Sequence, residues 1–394
     1  MNKHSAAPSA LGYVYQFRVA LLLALSEEDR SVLIESLDDV ETVEDDGGRK
    51  LLQLKHVDGA ASLTDMSPDL WKTIRVWATH WQSGEMDEVE FLLITTATAP
   101  VDSIPSLMRD PRRHVSKILA ELERAANTSK NEALAPSFKA FLALPSSDRR
   151  ELVLRMRVVD QAEDILAIED RLLERIALVV PPEHRHHALH RLEGWWMPVA
   201  IEHLRKGSPI RSSSVFAKVR DIGWSFGPSA LPIDYRNATP EDEIDAAQDD
   251  RPFVLQLKAI SVNLKRIERA ILDYYRAYEQ RARWVREDLI IEQDLGEYES
   301  RLVDEWERMR LTMADEIPRD ATDAQLEAAG KAILKWMEWT ADVRIRPDVA
   351  EGFLMRGSYH ILANRGPGAR IWWHPDFPNR VADILGITLD DANA

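Results

Sequence analysis

The stretch from Val32 to Val57 limits most strongly what this chain can become. A short strand-forming run, Val32 to Glu35, comes first. Two more, Asp39 to Val43 and Lys50 to Val57, flank the turn Asp45-Asp46-Gly47-Gly48. β-type runs on either side of a Gly-rich turn read as a hairpin. Its second strand, Leu51-Leu52-Gln53-Leu54-Lys55-His56-Val57, holds a lysine among apolar residues. A buried lysine is costly unless it faces a polar pocket. Acids stand close by: Glu35, Asp38, Asp39 and Glu41.

Alternation along the strands separates these acids. Leu52 and Leu54 share one face of their strand, and Gln53 and Lys55 share the other. Matching Val40 to the leucines puts Asp39, Glu41, Gln53 and Lys55 on one face. That register pairs Asp39 with Lys55 and needs an odd-numbered loop. Three residues with a glycine in the left-handed region would supply it. Asp38 then falls on the opposite face. Glu35 keeps the parity of Asp39 if its strand continues.

Carboxylates, a further acceptor and a lysine at one end of a hairpin suit phosphodiester hydrolysis. The carboxylates would hold a divalent cation that acidifies water and neutralises the scissile phosphate. The lysine would orient that water and stabilise the pentavalent transition state. Hard oxygen ligands imply Mg²⁺ or Mn²⁺.

The surroundings fit a compact α/β domain. A first helix is expected over Leu11 to Ser26, and Ser67-Pro68 opens a second. The second buries Leu70, Ile74, Trp77 and Trp81, spaced as on one helical face. Val89 to Thr95 reads as another strand, so the order is αβββαβ. Pro111 to Trp196 is mainly helical, with one strand expected over Glu151 to Val159. Gly207 to Asp250 is rich in Ser, Pro, Gly and acid, and reads as a linker. From Pro252 no proline or glycine intervenes until Gly296. An unbroken helix of about 40 residues, near 60 Å long at about 1.5 Å per residue, is expected there. Further helices follow at Tyr298 to Met313, Asp323 to Ala341 and Gly352 to Asn364, with a short strand near Val343 to Arg346.

Composition excludes several chemistries. The chain has 394 residues and no cysteine, which removes disulfides, thiolate zinc sites and cysteine nucleophiles. That fits a reducing, cytoplasmic setting. The formal net charge of −16 rules out a whole-molecule positive field for nucleic acid. A local patch is still possible: Arg109, Arg112, Arg113 and His114 could contact phosphate, or could be plain surface charge. The apolar run Val19 to Leu25 is too short to span a membrane, which takes about 20 residues.

Other signals read as structural. His186 and His190 are spaced for one helix face but lack an accompanying carboxylate pattern, so a solvated face is expected. Trp195-Trp196 and Trp372-Trp373 read as core or interface anchors. Gln256-Leu257-Lys258 repeats the Gln53-Leu54-Lys55 pattern with no acid partner and reads as chance.

Asp39, thirteen residues, then Gln53-Leu54-Lys55 resembles the PD-(D/E)xK nuclease motif in its QxK variant, as in Mrr-like restriction enzymes. Three segments carry a closer resemblance: Gly12-Tyr13-Val14-Tyr15-Gln16, Ile34-Glu35-Ser36-Leu37-Asp38-Asp39-Val40 and Leu52-Gln53-Leu54-Lys55-His56. Together they resemble the double-stranded-DNA nuclease domain of bacterial anti-phage effectors, from about Ser9 to Thr96. Near the C-terminus, Arg283-Trp284-Val285-Arg286, Leu302-Val303-Asp304-Glu305-Trp306, Gly357-Ser358-Tyr359-His360 and Trp373-His374-Pro375-Asp376-Phe377 resemble the C-terminal domain of ABC-three-component effectors. The chain thus resembles the nuclease subunit of a Lamassu-type system.

The resemblance implies an α/β restriction-endonuclease-like domain followed by a mainly α-helical domain. The expected division is a nuclease core over 1–110, a helical extension and linker over 111–240, and a docking and oligomerisation domain over 241–394. It implies Mg²⁺-dependent cleavage of double-stranded DNA, with Glu35, Asp39 and Gln53 at the metal, Lys55 supporting attack by water and Gln16 bracing from the first helix. Gln53 replaces the usual carboxylate, and Glu35 would compensate. The implied partners are an SMC-like ABC ATPase and a small accessory subunit, with self-association on activation. The competing expectation is a silent nuclease fold kept as a scaffold.

Overall fold

Antiparallel and parallel pairing meet in one six-stranded sheet, and the first half of the chain is built on it. The structure, a computed structural model, describes residues 7–56, 61–84 and 88–386. Val57, the end of the expected hairpin, lies outside them. The chain divides between Trp224 and Ser225 into two units.

The first unit opens with α1 (Ala7–Ala24), β1 (Arg30–Ile34), β2 (Val40–Glu44), β3 (Arg49–Lys55), α2 (Pro68–Ser83) and β4 (Val89–Thr95). It continues with α3 (Ile104–Leu107), α4 (Val115–Thr128), α5 (Ala135–Ala143), α6 (Ser146–Arg155) and β5 (Met156–Val159). It closes with α7 (Ile165–Ile176), α8 (Arg185–Lys206), β6 (Ile210–Arg211) and α9 (Ser212–Ser225). The strand order is β5-β4-β3-β2-β1-β6. β6, β1, β2 and β3 pair antiparallel, whereas β3, β4 and β5 pair parallel.

Local chemistry sets these elements. Ser67 is extended at the start of α2, Pro68 fits its first turn, and Gly84 ends it with a left-handed φ of 87°. The buried residues Leu70, Ile74 and Trp77 form the face the spacing predicts. They pack with Leu51, Phe91 and Leu93 of the sheet and with Ile118, Leu122, Phe138 and Phe141 of α4 and α5. Each large side chain so buried contributes about 1.5–3 kcal/mol.

The first unit therefore does not stop near residue 110. β5 pairs with β4, and β6 covers the outer edge of β1. The strand expected over Glu151 to Val159 is short, because α6 runs to Arg155. The expected linker also contains β6 and α9. Its remainder is fastened to the second unit: Gln280, fully buried, accepts from the N–H of Asp234 at 2.6 Å, and Trp284 donates to the Pro232 carbonyl at 2.7 Å.

The second unit is helical: α10 (Pro252–Ala259), α11 (Leu264–Arg286), α12 (Glu292–Glu316), α13 (Asp323–Trp339), α14 (Gly352–Ala363) and α15 (Phe377–Leu385). The expected unbroken helix splits into α10 and α11. Ser261 takes a left-handed φ of 54°, and the Asn263 side chain caps α11 by accepting from the Arg266 N–H at 2.9 Å. Val343 to Arg346 forms no strand. Gln256 has a structural part: it is fully buried and donates to the Ala363 carbonyl at 2.9 Å. Trp196 and Trp373 are buried, and His186 and His190 are exposed, as the sequence suggests.

α11 and α14 meet at Gly357, where an added Cβ would lie 2.1 Å from the Asp273 carbonyl oxygen. Gly357→Ala is expected to cost about 2 kcal/mol or more, read as a lower denaturant midpoint. An unchanged midpoint would show that the two helices part freely.

His360 lies in the same core at 1% exposure, with Nδ1 lacking a hydrogen-bond partner among the described residues. Burial, then the Arg356 guanidinium, pushes its pKa down to about 3. The unfolded chain protonates this histidine near pH 6.5, the folded chain only near 3. Between those values the unfolded state binds more protons, so stability is lost as pH falls through that window. Denaturant unfolding of His360→Leu at pH 7 and pH 4.5 is expected to show a smaller acid loss than the unsubstituted chain. An equal loss would remove His360 as a cause.

Candidate active site

β3 and β4 run parallel with Lys55 beside Thr95, so both strands end at the same edge of the sheet. The β2–β3 register aligns Val40 with Leu52 and Thr42 with Lys50. Glu44 and Gly48 close the turn, so three residues, Asp45, Asp46 and Gly47, form its loop. The Glu44 N–H donates to the Gly48 carbonyl at 2.8 Å, and Gly47 takes the left-handed φ of 98°. The expected parity holds, but the register is two residues from the expected one. Asp39 comes level with Gln53, not Lys55. The difference is spanned by side chains: Lys55 Nζ lies 3.8 Å from Asp39 Oδ2. The same Oδ2 accepts from the Leu54 N–H at 2.7 Å. Gln53, between them, is buried.

Glu35 arrives by a turn and not by a continued strand. β1 ends at Ile34, and Glu35 takes a φ of 50°. Its N–H donates to the Asp39 carbonyl at 3.0 Å, so Glu35 and Asp39 face each other across the hairpin end. A left-handed conformation is unfavourable for a residue with a Cβ and is held only by its surroundings. Burial, then the Asp39 charge, raises the Glu35 pKa, while a hydrogen bond from Gln16 and the Lys55 charge oppose the rise.

Asp38 points elsewhere. It is buried, its Oδ2 accepts from Trp77 Nε1 at 2.7 Å, and its Oδ1 accepts from the Asp39 N–H at 3.1 Å. Burial lifts its pKa to about 6. Asp38 thus anchors the turn to α2 and leaves Asp39 as the open carboxylate.

His203 is the residue that sequence reasoning missed. It lies on α8 at 4% exposure, and its Nε2 accepts from the Ile34 N–H at 2.8 Å. Its Nδ1 lies 2.7 Å from the Ser208 carbonyl, so the proton belongs on Nδ1. β6 pairs β1 only at Ser31 and Val32, and His203 takes over where β6 stops. A signal existed: Leu192, Trp196, Ala200 and His203 share the buried stripe of α8.

The donor set fits a hard divalent cation. Glu35 and Asp39 oppose each other, and Gln16 Oε1 is buried with no hydrogen-bond partner among the described residues. Two repelling carboxylates beside an orphaned amide oxygen are relieved by a cation bound between them. Among the described residues no three His, Cys, Asp or Glu side chains gather as a complete metal cage. Mg²⁺ needs none, since it keeps several waters and takes one or two carboxylates.

The arginines divide. Arg109 Nε donates to Asp160 Oδ1 at 2.6 Å and Nη2 to the Ala99 carbonyl at 2.7 Å, just beyond the strand ends. Arg113 donates to the carbonyls of Leu154 and Met156, at the start of β5 and so at the opposite edge of the sheet. Their guanidinium groups serve the fold. Arg112 is exposed. The three do not form one patch beside Lys55.

His203→Ala strands the Ile34 N–H and is expected to cost about 1–3 kcal/mol. His203→Gln, which keeps an acceptor, should recover part of that loss. Urea denaturation checks the stability, and amide exchange at Ile34 checks the cause. Unaltered Ile34 protection in His203→Ala would sink this account.

Residues 253–381 match the family model of C-terminal domain 7 of the ABC-three component (ABC-3C) systems. No curated protein matches the chain. Among solved structures, the Moraxella osloensis Cap4 SAVED/CARF-domain containing receptor is similar over 66% of this chain and 61% of its own, with 14% sequence identity and a TM-score of 0.34. The chain thus spans about three fifths of that receptor's length, and a likeness this low defines neither fold nor function. Among the described residues no helix is long and apolar enough to cross a membrane. The matched span covers nearly all of α10 to α15, so the second unit is similar to a C-terminal domain of the ABC-three component systems.

Proposed function

We propose that the first unit is a metal-dependent endonuclease that hydrolyses phosphodiester bonds of double-stranded DNA, and that the chain is the nuclease subunit of a Lamassu-type anti-phage complex. One observation carries the reading: Lys55 lies 3.8 Å from Asp39, which faces Glu35 across the hairpin end. The order α1-β1-β2-β3-α2-β4 agrees with the PD-(D/E)xK core that the motif suggests. The C-terminal match agrees with membership of a multi-subunit complex that contains an ATPase.

Each side chain has a part. Glu35, Asp39 and the Gln16 amide oxygen would hold Mg²⁺ or Mn²⁺, with Gln53 behind them in β3. The chemistry such a cation supplies when bound is acidification of water and neutralisation of the scissile phosphate. Lys55 sets a positive charge where negative charge develops on the pentavalent phosphorus. Asp39 and the Leu54 N–H hold the geometry between the two strands. Asp38 takes no part in the chemistry.

The second unit would dock the chain to an SMC-like ATPase and a small accessory subunit. A net charge of −16 disfavours binding of a lone chain to DNA. Several copies together would gain avidity, so activation by self-assembly follows.

Plasmid cleavage with Mg²⁺ over a range of protein concentrations tests the reading. Lys55→Ala and Asp39→Ala are each expected to lower the rate by about 10²–10³-fold. Asp38→Asn, which loses one of the two hydrogen bonds that anchor the turn but no group at the metal, should lower the rate far less than either. A rise steeper than linear with concentration is the expected mark of assembly. Cleavage that survives both Lys55→Ala and Asp39→Ala would refute the assigned site.

The second reading is a silent scaffold, favoured by Gln53 standing where the motif usually has a carboxylate. It predicts no cleavage even in the complex with the ATPase, and phage protection that Lys55→Ala leaves intact.

A further inference from the structure

We propose that the second unit binds a phosphate dianion, free or as a monoester, at a shallow depression beside α12, held by Arg370 and Arg301. The site is independent of the nuclease reading.

One carboxylate serves three guanidiniums there. Glu299 of α12 is 7% exposed, and its Oε1 pairs with Arg281. Its Oε2 lies 2.8 Å from Arg365 Nη2 and 3.5 Å from Arg370 Nη1. A single negative charge facing three positive ones leaves two in excess. Arg281 is itself 8% exposed, and its Nη1 is buried without a hydrogen-bond partner among the described residues. The cluster is under-neutralised even at its buried end.

Arg301 adds to the excess. Its Nη2 donates to the Ile345 carbonyl at 3.3 Å and its guanidinium lies over the Tyr298 ring at 5.7 Å, so it meets no acid in either contact. An open depression of about 650 Å³ is lined by Arg301, Arg370, Ser300 and Glu297. Gly296 also lines it, and no heavy atom lies within 4 Å of where its Cβ would stand. The charged residues that line the depression are Arg301, Arg370 and Glu297, so its lining carries a net charge of +1, in a chain whose net charge is −16.

That charge and geometry select the ligand class. The contacts of Arg370 to Glu299 and to Ser300 are both at 3.5 Å, the outer limit of a hydrogen bond, so its fork can turn to a better acceptor. A phosphate monoester carries about −1.5 to −2 charges near pH 7 and three acceptor oxygens. Arginine forks match such oxygens two at a time. A long polyanion is disfavoured, because Glu292, Asp294 and Glu297 share the same end of α12.

Thermal unfolding and calorimetric titration of the full chain test the site, with inorganic phosphate as probe and chloride at equal ionic strength as control. Phosphate is expected to raise the unfolding midpoint above the chloride control. Arg370→Gln and Arg301→Gln should each weaken phosphate binding about tenfold or more, while Arg344→Gln, whose guanidinium pairs with Asp342, keeps it. The unliganded midpoints report whether each variant is folded. A 5′-phosphorylated oligodeoxynucleotide, compared with its 5′-hydroxyl form, separates the sources. Preference for the phosphorylated form assigns the site to nucleic-acid ends, and binding of inorganic phosphate alone assigns it to the free ion. Either upholds the ligand class. No phosphate effect beyond chloride, retention of binding in Arg370→Gln and Arg301→Gln, or binding of a Glu-rich peptide in place of phosphate would overturn it.

Discussion

The closed end of the β1–β2 hairpin is the constraint on which the first unit depends. Five residues, Glu35 to Asp39, reverse the chain there, and each anchor comes from a different element. α8 supplies His203 to Ile34, α1 supplies Gln16 to Glu35, α2 supplies Trp77 to Asp38, and β3 supplies the Leu54 N–H to Asp39. Buried main-chain groups must be paired, and a left-handed glutamate must be held. Both needs are met by the same contacts. The result is a turn whose two outward carboxylates, Glu35 and Asp39, are set by neighbours that have other hydrogen bonds to keep.

Burial separates two adjacent aspartates. Asp38 and Asp39 differ by one position, yet one lies under an indole N–H with its pKa lifted to about 6 and the other lies beside an ammonium. A strand turn inverts side-chain direction at every residue, so a pair of identical acids becomes an anchor and an open carboxylate. The sheet face behind Asp39 is not wholly polar. Leu51 belongs to the α2 core, and Glu41 is buried against Arg49.

Much of the site was legible because two-residue periodicity and turn chemistry are local. The face shared by Asp39, Gln53 and Lys55 follows from Val40 and the leucines, and the three-residue loop follows from Gly47. The exact register was not, since side chains as long as lysine tolerate a two-residue shift. The broken helix at Ser261 was hidden for a different reason. Neither proline nor glycine marks it, and only the Asn263 cap betrays a new start. The extent of the first unit was least legible, because β5 and β6 are four and two residues long and are defined by pairing partners far along the chain.

The sheet edge at Ile34 has a consequence for how the chain is made. Its partner His203 stands 169 residues further on, and Ile210 of β6 further still. Translation at about 5–20 residues per second leaves that edge open for on the order of ten seconds or more. During that interval the nascent chain already carries Glu35, Asp39 and Lys55 but not the histidine that fixes their turn. The ribosome therefore delivers the turn's carboxylates and Lys55 well before it delivers their support, and a prematurely terminated chain holds the former without the latter.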